Sequence, residues 1–248
     1  MNALSETAAQ NLENLRSNPY PGRAIIIGTD EKGNGVQIYW IMGRSESSRN
    51  RFFAVDEETI TVEAIDRAKV KDPELTLYTA MMQVNEYFVV SNGSQTAPLM
   101  HALRTGMGHL LENFADGLKG FEFEPDIPNF TPRISGLYIP SSDPSVVLSI
   151  LRKSEDGNGC ERALYPAPGV PAGFGLCITT YSGDGKPLPS FRGEPFFVPL
   201  QGDIDAIANL YWNTLNEDNK VSLAVKIIPG HFGQTLTKVI NKYKTSLD

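Results

Sequence analysis

Nine consecutive residues, Gly43-Arg44-Ser45-Glu46-Ser47-Ser48-Arg49-Asn50-Arg51, gather three guanidinium groups and three hydroxyls on one short stretch. A guanidinium is a planar fork of donors that matches phosphate oxygens, and serine hydroxyls with loop amides can complete an anion cradle. The stretch lacks the glycine spacing and the lysine of a Walker loop. The same residues also suit a solvated hairpin end, because loop arginines commonly face water. A second polar stretch, VVSNGSQT from Val89 to Thr96, leaves a strand, turns through Asn92-Gly93 and enters a helix. Amides exposed at a helix start favour an anion or a polarised carbonyl. Capping of those amides by Asn92 or Ser94 is the simpler account of the residues taken alone.

Other candidates stand apart. Tyr78 follows Asp72-Pro73 in an otherwise apolar segment, and a buried tyrosine needs a partner for its hydroxyl. Arg133 opens a strand with Glu124 and Asp126 just upstream, which predicts a carboxylate near a guanidinium; an ordinary ion pair would explain it. The segments Thr179 to Pro187 and Phe191 to Pro195 fit a pocket rim or a surface loop. His101, His109 and His231 are scattered, and Cys160 and Cys177 complete no Cys-His or Ser-His-Asp spacing. Those five residues predict neither a closed zinc site nor a disulfide framework.

The 248 residues carry a net charge of -7, with 41% hydrophobic and 21% charged residues. That balance describes an ordinary globular protein and argues against general binding to nucleic acid or an anionic membrane, which needs a positive surface. A phosphorylated small ligand would instead need a local basic pocket. Met1 to Ser17 has neither the basic start nor the apolar run of a signal peptide, and no stretch approaches the roughly 20 apolar residues of a membrane span. A reducing cytoplasm is the expected location.

The elements that must hold these residues follow from periodicity. Leu12 and Leu15 predict a short amphipathic helix, ended by Asn18-Pro19-Tyr20-Pro21-Gly22. Arg23 to Thr29, the turn Asp30 to Gly35, and Val36 to Met42 read as a β-hairpin. Strands are expected at Phe52 to Val55, Thr59 to Ile65 and Tyr87 to Ser91, with a short segment around Thr76 to Val84. Leu99, Leu103, Met107, Leu110, Leu111 and Phe114 predict one long helix from Ser94 to Phe114, weakened at Gly106 and Gly108. Strands return at Arg133 to Ile139, Val146 to Arg152, Glu161 to Tyr165 and Phe174 to Tyr181. A helix at Asp203 to Leu215, a strand at Val221 to Ile228 and a closing helix at Gln234 to Tyr243 complete the chain. The pattern predicts an α+β fold, with sheets face to face and helices outside, in one domain over 1–248 with an N-terminal helical extension of about 1–17.

Taken in order, Tyr20-Pro21-Gly22-Arg23, the Arg-Ser-x-x-x-x-Asn-Arg loop at Arg44 to Arg51, Asp72-Pro73 with Tyr78, VVSNGSQT, TPRISG at Thr131 to Gly136, and Thr179-Thr180-Tyr181 resemble the archaeal-type IMP cyclohydrolase family and its bacterial relatives. The chain departs from the family pattern in its N-terminal helix, an insertion-rich second half, Asp72 in place of Asn, and Gln95 where shorter archaeal proteins tend to have His. The resemblance implies a four-layer αββα sandwich like that of N-terminal-nucleophile hydrolases, without autoprocessing. Met1-Asn2 agrees, since neither residue can become an amine-activated nucleophile.

The implied reaction closes 5-formamidoimidazole-4-carboxamide ribonucleotide to IMP in purine biosynthesis, with no metal or cofactor. The implied partner is a small purine nucleotide, and the implied assembly a homo-oligomer. By the same resemblance, Arg44, Arg49 and Arg51 with Ser45 and Asn50 bind the 5′-phosphate and nearby polar edges. Asn92, Gly93 and Ser94 face the base or the oxyanion, and Tyr78 moves a proton or donates to the oxyanion. Arg23 and Arg133 lend polar contacts, and Asp126 or Glu161 takes the amide proton. The alternatives are a nucleotide-binding protein without catalysis and an amidohydrolase acting on a related C–N bond.

Overall fold

The computed structural model describes residues 3–140, 142–143, 145–230 and 234–244; Met1, Asn2 and His231 lie outside the described residues. The chain opens with α1 (Ala3–Ser17), the hairpin β1 (Ala24–Thr29) and β2 (Gly35–Met42), then α2 (Glu46–Arg49), β3 (Phe52–Asp56) and β4 (Thr59–Glu63). The short α3 (Pro73–Thr76) leads to β5 (Tyr78–Val84), β6 (Tyr87–Ser91), α4 (Thr96–Thr105) and α5 (Leu110–Leu118). The second half contributes β7 (Arg133–Tyr138), β8 (Val146–Lys153), β9 (Cys160–Ala167), β10 (Phe174–Thr179), β11 (Phe196–Pro199), α6 (Ile204–Thr214), β12 (Lys220–Ile228) and β13 (Leu236–Asn241). Two antiparallel sheets result. One has the order β11-β10-β1-β2-β12-β13 and the other β3-β4-β5-β6-β7-β8-β9.

All eight residues of β2 are buried, because the strand is covered on both faces and no polar face needs water. Its side chains alternate between two cores. Ile25, Ile27, Tyr39 and Ile41 meet Val62, Val90, Ile134 and Leu148 between the sheets. Ile26, Ile38 and Trp40 face the other way, against Leu15 of α1 and Ile207, Ala208 and Tyr211 of α6. The second sheet repeats the plan, with Val89, Leu137 and Val147 packed on Leu99 and Leu103 of α4 and Phe114 and Leu118 of α5. Three apolar interfaces separate four layers, so the αββα sandwich follows from the cores themselves. Among the described residues no helix is long and apolar enough to cross a membrane.

The structure corrects several expected elements. The closing helix predicted at Gln234 to Tyr243 is the edge strand β13, which pairs along β12 with Ala224 opposite Val239. The single long helix divides into α4 and α5, broken between Thr105 and Leu110. The break lets α5 fold back against α4 so closely that a Cβ on Gly117 would stand 2.7 Å from the Leu99 Cα. The segment near Thr76 to Val84 provides the end of α3 and strand β5, and β11 is a strand that the sequence pattern does not predict.

Candidate active site

A cleft of about 730 Å³ opens at the end of the sandwich where β1 starts and β2 and β10 finish, a size suited to small-molecule binding. Its lining holds six basic side chains (Arg23, Arg44, Arg51, Lys69, Lys71, Lys186) and three acidic ones (Asp72, Glu124, Asp126). In a chain of net charge -7 this is the local basic pocket that an anionic ligand requires.

The arginine-rich stretch forms a capped turn, not a loose hairpin end. The Ser45 hydroxyl accepts from the Ser48 amide at 3.1 Å, and the Ser48 hydroxyl accepts from the Ser45 amide at 2.9 Å. Those hydroxyls hold the turn. Arg49 donates through Nε to the Gly43 carbonyl at 3.0 Å, and Asn50 clamps the Asp66 backbone through two bonds of 2.7 and 2.8 Å. Arg44 pairs with Asp184, donates to the Gly185 carbonyl at 3.2 Å, and lies 4.9 Å over the Tyr20 ring. Arg51 differs from all of these. It is buried, its Nε donates to the Ser48 carbonyl at 3.0 Å, and its two terminal nitrogens have no protein partner among the described residues.

Deeper in, Arg23 and Glu124 form a two-bond pair at 2.9 and 2.7 Å, both buried. Burial opposes charge on Arg23, but the Glu124 carboxylate more than offsets it, and the guanidinium pKa sits well above its ordinary value. Arg23 also donates to the Asn92 carbonyl at 2.9 Å. Arg133 lies 4.0 Å from the same carboxylate, over the Phe121 ring, and donates to Gln95 Oε1 at 3.1 Å. Burial lowers its pKa, with Glu124 opposing the fall and Arg23 adding to it. The Tyr78 hydroxyl bonds that of Tyr39 at 2.7 Å.

Asn92 and Gly93 build this cluster from behind. The Asn92 side chain accepts from the Ile134 amide at 2.8 Å and from Gln95 at 3.2 Å, and donates to the Pro132 carbonyl at 2.9 Å, so it stitches β6 to β7. Neither it nor the exposed Ser94 caps α4, whose first flanking residue is Gln95. Gly93 leaves room for Arg133: a Cβ there would lie 2.3 Å from Arg133 Nη1. Gly93→Ala is therefore expected to displace that guanidinium at a cost of about 1–3 kcal/mol, the usual penalty of overpacking, read as a lower melting temperature. An unchanged melting temperature would mean that Arg133 shifts freely.

Asp126 lines the cleft and accepts from the Thr131 amide at 2.6 Å and from the Thr131 hydroxyl, which in turn bonds the Tyr181 hydroxyl at 2.5 Å. Tyr181 stacks on Tyr20, their centroids 6.0 Å apart. Burial raises the Tyr20 pKa against the opposing charges of Arg51, Arg23 and Arg44, and burial also raises that of Tyr181, so both phenols remain donors at neutral pH. Glu161 lies elsewhere, on β9, paired with Arg152 at 2.5 Å and Arg192 at 3.1 Å. Among the described residues no three His, Cys, Asp or Glu side chains converge as metal ligands.

The cleft thus gathers Arg23, Arg44, Ser45, Arg51 and Asp126 directly. Tyr78, Asn92, Gly93 and Arg133 stand beneath or behind it, Arg49 and Asn50 shape its rim, and Ser94 and Glu161 stand outside its lining. The sequence singles out neither Tyr20 nor Lys71, predicts Tyr181 and Lys186 only within a candidate rim segment, and links Glu124 to Arg133 alone. Tyr20 and Tyr181 were visible within the family motifs; the Arg23–Glu124 pair spans 101 positions and has no local signal.

Comparison with known proteins follows the same boundaries. The family described as IMP cyclohydrolase-like protein matches residues 20–231. An IMP cyclohydrolase of Methanopyrus kandleri is 28% identical over 152 residues, which are 59% of this chain and 75% of that protein. Among solved structures, a Caenorhabditis elegans ortholog of N-acylethanolamine-hydrolyzing acid amidase aligns over 85% of this chain and 94% of its own, with a TM-score of 0.41 and 11% identity. The family match begins at Tyr20, the first residue of the cleft, and runs through both sheets to the end of β12, so the chain belongs to the IMP cyclohydrolase-like protein family.

Proposed function

We propose that this protein closes 5-formamidoimidazole-4-carboxamide ribonucleotide to IMP. The carboxamide nitrogen attacks the formyl carbon. The formyl oxygen leaves as water, carrying one hydrogen from the carboxamide nitrogen and one from the formamide nitrogen. The observation that carries this reading is the buried Arg51, two of whose nitrogens lack protein partners among the described residues, in a cleft whose floor is the Arg23–Glu124 pair. Membership of the family and the likeness to a named IMP cyclohydrolase support the choice of substrate.

Arg51, with Arg44, Lys71 and Lys186 beside it, takes the 5′-phosphate, while Ser45, Arg49 and Asn50 keep the turn in shape. The carboxamide nitrogen is a weak nucleophile because its lone pair is delocalised, so orientation contributes most, up to about 7–11 kcal/mol for well-placed groups. Arg23 and Arg133 face the oxygen as it gains charge, with Asn92 and Gly93 holding them in place. Asp126 receives the amide proton: its two partners, the Thr131 amide and hydroxyl, are neutral, whereas Glu124 is held as a carboxylate by the Arg23 guanidinium.

Incubating the protein with the formylated ribonucleotide and following IMP by absorbance tests the reading. Nucleotide binding without product would overturn it in favour of a binding protein, and cleavage of simple amides would favour an amidohydrolase. Arg51→Ala is expected to raise KM roughly 10- to 100-fold, matching about 1.5–3 kcal/mol for a hydrogen bond to a charged group, with kcat much less affected. A KM within twofold of the parent would take Arg51 off the phosphate.

A further inference from the structure

A second cavity, of about 320 Å³, shares the Tyr181 ring with the cleft and is closed on one side by α1. That helix precedes the family match, so one wall of the pocket lies outside the matched residues. It is a firm wall: Ala8 and Leu15 are buried, and Asn11 Nδ2 donates to the Phe197 carbonyl at 2.9 Å. Facing it are Phe191 and Phe196, with ring centroids 6.2 Å apart.

The polar atoms left over define what would fit. Among the described residues, the half-buried Asn11 Oδ1 and, at the solvent-exposed mouth, Asn14 Nδ2 and the Glu194 carboxylate have no hydrogen-bond or ion-pair partner, whereas Asn18 is occupied by the Tyr20 amide and the Ser182 carbonyl. Acceptors outnumber donors, and the one charged side chain in the lining is negative. A phosphate is repelled from such a pocket; a flat, neutral ring bearing N–H donors can stack on the aromatic faces and bond Asn11, Asn14 and Glu194. The volume lies at the lower end of small-molecule sites.

We infer that this pocket is a second binding site for an uncharged aminopurine nucleoside. Its occupancy is coupled to the cleft through Tyr181, whose hydroxyl bonds Thr131 beside Asp126 and whose ring stacks on Tyr20. A ligand packed on that ring favours one placement of it, and the effect on the cleft must be reciprocal. The site stands whatever reaction the cleft performs.

Calorimetric titration of the whole chain with adenosine tests it, with inosine as the analogue lacking the amino group. Adenosine should bind one to one and several-fold more tightly than inosine. Phe191→Ala should weaken it about tenfold through lost stacking, and Glu194→Gln, at an exposed position, should weaken it several-fold without altering the melting temperature. Arg51→Ala should leave it unchanged, and saturating adenosine should shift the affinity for inorganic phosphate in the cleft. Binding abolished by Arg51→Ala but not by Glu194→Gln would place adenosine in the cleft and overturn the inference. Equal affinity for inosine, or no binding at millimolar adenosine, would also overturn it.

Discussion

Glu124→Ala is expected to destabilise the protein by about 3–5 kcal/mol, the range found when one member of a buried ion pair is removed. The mutation leaves Arg23 buried without its carboxylate and brings a second problem with it. Arg133 is 4.0 Å from Glu124, so the carboxylate lies between two guanidinium groups that would otherwise repel each other at short range. For a chain of this size each kcal/mol moves the melting temperature by about 2–4 °C, so a fall of about 6–20 °C should be seen by thermal unfolding. Glu124 lines the cleft, and water entering there would bring the loss toward the lower end. Adding Arg23→Leu to Glu124→Ala should recover part of the loss, because it removes the guanidinium left buried without its carboxylate. A melting temperature for Glu124→Ala equal to that of the parent would show that the arginines are solvated from the cleft and that the pair contributes nothing to the fold.

That pair also marks the limit of what could be read in the chain. The hairpin of β1 and β2 was legible, because Asp30 accepts from the Lys32 and Asn34 amides at 2.9 and 2.8 Å and Gly33 adopts a positive φ of 83°, all within one local turn. The strand β13 was misread for a definite reason. Leu236, Val239, Ile240 and Tyr243 fall at i, i+3, i+4 and i+7, the spacing of a helix face, and nothing nearby decides otherwise. The open edge of β12, hydrogen-bonded to β13 from Ser222 to Ile227, decides it, and that edge is a property of the folded sheet. The arginine-rich stretch shows the same division. Its composition pointed to an anion, but which arginine stays unpaired depends on Asp184 reaching Arg44 and on the Gly43 carbonyl reaching Arg49. Face-to-face sheets with helices outside were legible in the succession of elements, but the side each residue faces was not, since strands covered on both faces conceal the alternation that would have assigned it.

Tyr78→Phe is expected to lower kcat for ring closure by about 10²–10³-fold with little change in KM, the signature of a donor that acts on charge developed in the transition state. The hydroxyl is held before substrate arrives. Tyr39, fully buried, bonds it at 2.7 Å, and burial, then the Tyr78 phenol, push the Tyr39 pKa well above its usual value. Tyr39 therefore keeps its proton. When it donates to the Tyr78 oxygen, the Tyr78 proton is free for another acceptor. Loss of this hydroxyl also strands Tyr39 in the core, a penalty of about 1–3 kcal/mol that could lower activity merely by loosening the fold. The double variant Tyr39→Phe/Tyr78→Phe separates the two effects, because replacing both partners by apolar rings of the same shape is nearly neutral for stability. It should regain the melting temperature of the parent and still turn over as slowly as Tyr78→Phe. Full recovery of kcat in the double variant would assign Tyr78 to the core alone, and an undiminished kcat in Tyr78→Phe would remove it from the reaction.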